Sequence, residues 1–120
     1  MHELEEIFEQ HAEWIRIYPA TEIETNPREH TVTHVQLKNR NIEAIVTNLT
    51  FTQIQYKMPG ISTSKAKEIV FKKKHKTLFE ASYRIEIREE YFTGWRQNKR
   101  IQYKVIGDYI QAYVYKEQGM

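Results

Sequence analysis

Cysteine is absent from the 120 residues, which removes disulfides, thiolate nucleophiles and cysteine-type zinc sites together. Aspartate is nearly absent: Asp108 is the single one, and because it follows Gly107 its expected place is a turn. No strained nucleophile turn accompanies it to build a serine–histidine–aspartate set. The four glycines stand at 60, 94, 107 and 119, too scattered for a loop that cradles phosphate. With three prolines they are also too few for a linker or low-complexity chain. Long hydrophobic runs are missing: the longest uncharged stretch, residues 44–56, is broken by Thr, Asn and Gln, so no membrane span is expected. Glu3, Glu5, Glu6, Glu9 and Glu13 near the start oppose a signal peptide. The expectation is one soluble domain over residues 1–120, made in the cytoplasm, without cofactor or membrane partner.

What is present is charge, aromatic residues and alternation. Net charge is +2, but residues 1–60 carry five Lys/Arg against nine Asp/Glu, a balance of −4, and residues 61–120 carry thirteen against seven, a balance of +6. A polyanion would meet the second half, and head-to-tail pairing of copies, acidic patch on basic patch, is equally served.

Leu4, Ile7, Phe8 and His11 fall at helical spacing among glutamates, predicting an N-terminal helix that ends near Glu13, with residues 1–18 as helix and lead-in. Ile15 and Ile17 alternate with Trp14, Arg16 and Tyr18 in the manner of a strand. Residues 26–29, Asn-Pro-Arg-Glu, read as a loop. A β-rich core is expected over residues 30–117. Ile42, Ala44 and Val46 share one face, and Ile54 and Tyr56 predict a further strand. The apolar parity slips around Thr47, Asn48 and Leu49, which predicts a bulge or tight turn. Residues 62–80 are read as a short helix or loop over residues 64–67, with Ser62, Thr63 and Ser64 as candidate N-caps, followed by a strand. Tyr83, Ile85 and Ile87 alternate with Arg84, Glu86 and Arg88. Ile101, Tyr103 and Val105 form the next set, and Ile110, Ala112 and Val114 face away from Tyr109, Tyr113 and Tyr115. Strands at this spacing predict a mainly β fold: a small antiparallel sandwich or barrel with an N-terminal helix and a long basic loop or short helix.

Catalytic and metal sites are not expected. His30 and His34 would lie about 13 Å apart on one strand, too far to share an ion. One-metal nucleases want an aspartate and a Glu-x-Lys on adjacent strands, whereas Glu86-Ile87-Arg88 stands here. The conspicuous polar feature is the basic run Lys65, Lys67, Lys72, Lys73, Lys74, His75, Lys76. It reads as a solvated face, a contact for an acidic protein surface, or a phosphate contact weakened by salt. Tyr109, Tyr113 and Tyr115 share one strand face, suited to base stacking or, more commonly, to core and interface packing. Trp95 and Arg96 beside Gly94 either pin a hairpin corner or anchor a subunit contact.

The order of SYRIEI, YFTGWRQNKRIQY and KVIGDYIQAYVYKE, over about residues 80–117, resembles the closing strands of the head–tail connector (head-closure, or neck) proteins of tailed bacteriophages. The N-terminal helix and the MPGIST segment lie outside the resemblance. It implies a non-enzymatic virion protein, one of a ring of twelve or six identical copies between portal and tail. Such a ring acts in head completion and viral assembly by extending the DNA channel. The portal, neighbouring neck or tail proteins and non-specific DNA contact follow as implied partners, and the lysine-rich stretch as an exposed loop or hairpin. The alternative expectation is a nucleic-acid-binding β-barrel module, resting on the lysine run and the tyrosine face.

Overall fold

Strands form where β-branched and aromatic residues recur at every second position, because one face of a pleated ribbon then leaves water at once. A computed structural model of the chain describes residues 2–20, 22–26, 31–35, 38–61 and 65–116. The elements are α1 (His2–His11), β1 (Glu13–Pro19), the pair β2 (Glu22–Asn26) and β3 (Thr31–Val35), β4 (Arg40–Asn48), α2 (Phe51–Lys57) and β5 (Ala66–Lys72). A 3-10 turn (Lys73–His75) leads to α3 (Lys76–Glu80), β6 (Ser82–Ile87), β7 (Glu90–Gly94), the short pair β8 (Arg96–Gln97) and β9 (Arg100–Ile101), β10 (Tyr103–Ile106) and β11 (Tyr109–Tyr115).

The main sheet runs β10-β11-β5-β4-β1-β6-β7, and β7 returns to β11 through Val114↔Gly94 and Tyr115↔Thr93. All of these pairings are antiparallel. Six strands therefore close a barrel, and closure removes their open edges. The strands β7 and β10 both lie along the same side of β11; between them the chain leaves the wall as the β8–β9 hairpin, whose base is held by Gln102 N–H donating to Trp95 O at 2.8 Å.

Inward positions follow the alternation: Ile15 and Ile17, Ile42 and Ala44, Ile69 and Phe71, Ile85 and Ile87, Phe92, and Ile110, Ala112 and Val114 fill the interior. The short helix α3 closes one end. Its Phe79 enters the core with its ring centroid 5.0 Å from that of Phe71, and Ser82 Oγ donates to Phe79 O at 2.6 Å. Gly94 makes room at the same end, since a Cβ there would stand 2.3 Å from Ile101 Cδ1.

Several expectations are corrected. The β-rich core begins at Glu13, inside the supposed lead-in, because β1 lies between β4 and β6. Residues 51–57 form a helix instead of a strand. Thr50 Oγ1 accepts from Gln53 N–H at 3.2 Å while Gln53 Oε1 accepts from Thr50 N–H at 2.9 Å, and this capping box outweighs the short Ile54/Tyr56 alternation. Residues 66 and 67 already belong to β5, and the helix follows that strand at Lys76. Tyr83 does not share the face of Ile85 and Ile87: Tyr18↔Arg84 is followed by Pro19↔Ser82, so Tyr83 is the extra residue of a bulge and turns outward. Residues 27–29 of the expected loop, His30, and the N-cap candidates Ser62, Thr63 and Ser64 lie outside the described residues.

Replacing Phe79 by Ala is expected to lower stability by about 3–5 kcal/mol, read as the urea midpoint of tryptophan fluorescence. Thr50→Ala, which removes the cap of α2, is expected to cost about 0.5–2 kcal/mol in the same measurement.

Candidate interaction surface

The lysine run is not one patch. Lys65, just before β5, and Lys67 within it stand at one end of the barrel, and β5 carries Lys72 to the other, about 20 Å away at the usual rise of a strand. At the first end Lys65 Nζ meets Glu90 Oε1 at 2.7 Å and Lys116 Nζ stands 3.7 Å from the same oxygen. The hydrogen bond from Lys65, helped by the charges of Lys65, Lys116 and Lys67, holds the Glu90 carboxyl below the usual range. Lys67 Nζ donates to Asn48 Oδ1 and lies 5.6 Å over the Phe92 ring; burial, then the nearby Arg88, lowers its pKa. Arg88 itself grips both oxygens of Glu13, Nε to Oε1 at 2.9 Å. The lysines here are internal parts of an ionic closure, beside a 280 Å³ recess lined by Asn48, Leu49, Lys65, Ala66, Lys67 and Glu90.

At the other end Lys72, Lys73 and Lys74 are exposed. They line a 310 Å³ recess with Glu5, Asp108 and Tyr109, and Lys72 Nζ lies 5.6 Å over the Phe8 ring. The turn expected at Gly107-Asp108 is present, with Gly107 at φ 59°, and Asp108 O accepts from Lys73 N–H at 2.8 Å. Lys76 pairs with Glu80 at 4.0 Å, which also accepts from the Tyr103 hydroxyl at 2.8 Å. His75 is half-buried among cations. Burial first, then Lys74, Lys72 and Arg40, push its pKa down.

The tyrosine face is occupied by the chain's own helices. Tyr109 is buried against Phe8 of α1, ring centroids 5.2 Å apart. Tyr113, Tyr115 and Trp95 pack beneath α2 with Ile54, Met58 and Ala66, and Lys57 Nζ sits 5.3 Å over Tyr113. These rings form a second, outer core, and Trp95 and Tyr113 also line a 190 Å³ recess with Tyr103. Arg96 is an internal latch: Nη2 donates to Ser82 O at 2.8 Å, and Nη1 reaches Thr93 Oγ1 and Gly94 O at 3.3 Å. It pins the hairpin corner, one of the two roles its position allowed.

The helices thus cover the outside of β11, β5 and β4. The outside of β1, β6 and β7 carries a cluster that sequence reasoning did not single out. Trp14, Tyr83 and Tyr91 are 67, 53 and 42% exposed. Tyr18 lies edge-on to Tyr83 and Tyr91 at 6.4 and 6.2 Å, and its hydroxyl donates to Glu86 Oε1 at 2.7 Å, which raises its pKa. The Arg84 guanidinium lies 4.7 Å from the Tyr91 centroid and 5.7 Å from that of Tyr83. Among the described residues Arg84 makes no ion pair. The signal was readable in part: Trp14, Arg16 and Tyr18 occupy the outward register of β1, where a merely solvated face would carry Lys or Glu. The Tyr83 bulge that completes the cluster had no counterpart in the alternation.

Among the described residues no group of three or more His, Asp or Glu is arranged to hold a metal ion, and no helix is long and apolar enough to cross a membrane. Aromatic rings with an arginine laid across them are the residue types that dominate protein–protein contacts.

The depressed pKa of His75 has a pH consequence. As pH falls through the usual histidine value of about 6.5, the unfolded chain takes up a proton that the folded site resists, so stability declines. The His75 midpoint measured by NMR titration is expected below that value and is expected to rise in Lys74→Ala. His75→Gln is expected to flatten the loss of stability between about pH 7 and 5.

Compared with known proteins, the chain matches no family model, no curated protein and no solved structure.

Proposed function

We propose that the chain is a structural subunit of the head–tail connector of a tailed bacteriophage, one copy of a neck ring between portal and tail. The observation that carries this reading is the division of the barrel: a filled interior, one flank covered by the chain's own helices, whose Phe51 and Tyr56 stay exposed, and one flank without a covering helix, with Trp14, Tyr83, Tyr91 and Arg84 outward. A protein of this kind works by what it touches. The order of strands through residues 80–117 that carries the resemblance is the stretch that builds β6 to β11.

The molecule also extends beyond a sphere. Its radius of gyration is 15.9 Å, against about 13.6 Å for a compact chain of this length, and the β2–β3 pair is a separate two-stranded sheet. Extended ribbons of this sort suit contacts between neighbouring copies. In such a ring the exposed Lys72, Lys73 and Lys74 serve for non-specific contact with channel DNA, and the protein is made in the host cytoplasm and retained in the virion. Twelve or six copies, the portal and neighbouring neck or tail proteins are the partners of this reading.

The second reading, a nucleic-acid-binding barrel, draws on the same three lysines and on Arg84 against tyrosine rings. The coverage of Tyr109, Tyr113 and Tyr115 weighs against it.

Mass measurement alone and with a portal ring tests the first reading: ring-sized species are expected, and a chain that stays monomeric and ignores the portal would overturn it. Titration with single-stranded and duplex DNA at two salt concentrations tests the second. The expected result is at most weak binding, lost with salt and lost in the Lys72→Glu, Lys73→Glu, Lys74→Glu variant, with ring formation unchanged.

A further inference from the structure

The bare flank and α1 lie on opposite sides of the barrel. Going round the wall from β5, beneath α1, three strand steps lead to β6, which carries Arg84. The two surfaces are complementary in kind. Helix α1 buries Phe8 and turns Glu6, Ile7 and Glu9 to solvent, with Ile7 48% exposed. Among the described residues neither Glu6 nor Glu9 makes an ion pair. The opposite flank offers aromatic rings around an arginine that has ring contacts and, among the described residues, no carboxylate partner.

We infer that the outer face of α1 from one copy docks on the Trp14–Tyr83–Tyr91–Arg84 flank of a second copy. Glu6 and Glu9, one helical turn apart, meet Arg84, and Ile7 lies at the margin of that face against the rings. Because the two surfaces are on opposite sides of one chain, no copy can satisfy its own, and each docking leaves a free surface of each type at the ends. Contact of this kind is heterologous and closes as a ring when the rotation per copy allows. Burying exposed rings supplies the apolar part, and a carboxylate on a partly desolvated guanidinium fixes orientation. The inference rests on the assembly reading above and names the surfaces that the assembly uses.

The absence of native cysteine makes a direct test available. Copies carrying Ile7→Cys are mixed with size-tagged copies carrying Tyr91→Cys under mild oxidation, and products are resolved without reductant. The mixed disulfide is expected to dominate over either self-linked product. In parallel, sedimentation velocity follows Arg84→Glu, the pair Glu6→Arg with Glu9→Arg, and all three together, each checked for native circular dichroism. Arg84→Glu and the glutamate pair are each expected to weaken self-association by about tenfold or more, and the triple variant to restore it.

Dominant self-linking of Tyr91→Cys would mean a face-to-face dimer and would overturn the inference. So would assembly that is indifferent to Arg84→Glu and gives no mixed disulfide, an outcome that leaves the ring reading standing. A wild-type chain that remains monomeric alone and with the portal overturns both.

Discussion

The rest of the structure depends on the meeting of β7 with β11. Two residue pairs, Val114 with Gly94 and Tyr115 with Thr93, together with Trp95 N–H donating to Tyr113 O at 2.9 Å, turn an open sheet into a closed wall. The contact is small because β11 shares that side with β10, so β7 has only the last part of β11 to pair with. What makes so short a seam sufficient is the packing around it. Ile101 occupies the volume a side chain at 94 would need, Arg96 ties the departing hairpin to the carbonyls of Ser82 and Gly94, and Trp95 is held under α2. Glycine, arginine and tryptophan in immediate succession each serve the same junction by different physics: absence of volume, hydrogen bonding, and apolar burial.

Closure also decides what the outside is for. A sealed barrel has no cleft between sheets, and the interior positions are taken by Ile, Phe, Val and Ala. The outward aromatic residues of the strands are unequally shared between helix contacts and water. Over β11, β5 and β4 the outward rings are spent on α1 and α2, giving a second apolar layer. Over β1, β6 and β7 comparable rings remain in contact with water.

The fold was legible where alternation is long and its buried members are bulky. The mainly β class, the N-terminal helix, the Gly107 turn and the inward sets Ile42/Ala44, Ile85/Ile87 and Ile110/Ala112/Val114 all follow from period two or from helical spacing. Misreadings came where a short range effect competes with a short pattern. Thr50-Phe51-Thr52-Gln53 has the form of a capping box, and that local exchange of hydrogen bonds governs residues 51–57 against an alternation only two members long. The alternation puts Tyr83 on the wrong face, with Ile85 and Ile87, because a bulge shifts parity by one without leaving a trace in residue type. The candidate surface was harder still. Tyr109, Tyr113 and Tyr115 were visible as a stripe, but what lies on a stripe is decided by helices distant in the chain, Phe8 in one case and Ile54 in the other. The lysines looked like a cluster because sequence proximity along a strand hides the distance between its two ends.

The position of β1 carries a consequence for how the chain comes together. Its first neighbour, β4, joins Ile15 to Ile42, but its second, β6, joins Ile17 to Ile85. During synthesis β1 is thus left with one unzipped border until β6, residues 82–87, has emerged. Non-local pairing of this sort slows folding, and a nascent chain waiting in that condition presents a sticky apolar ribbon to its neighbours on the polysome.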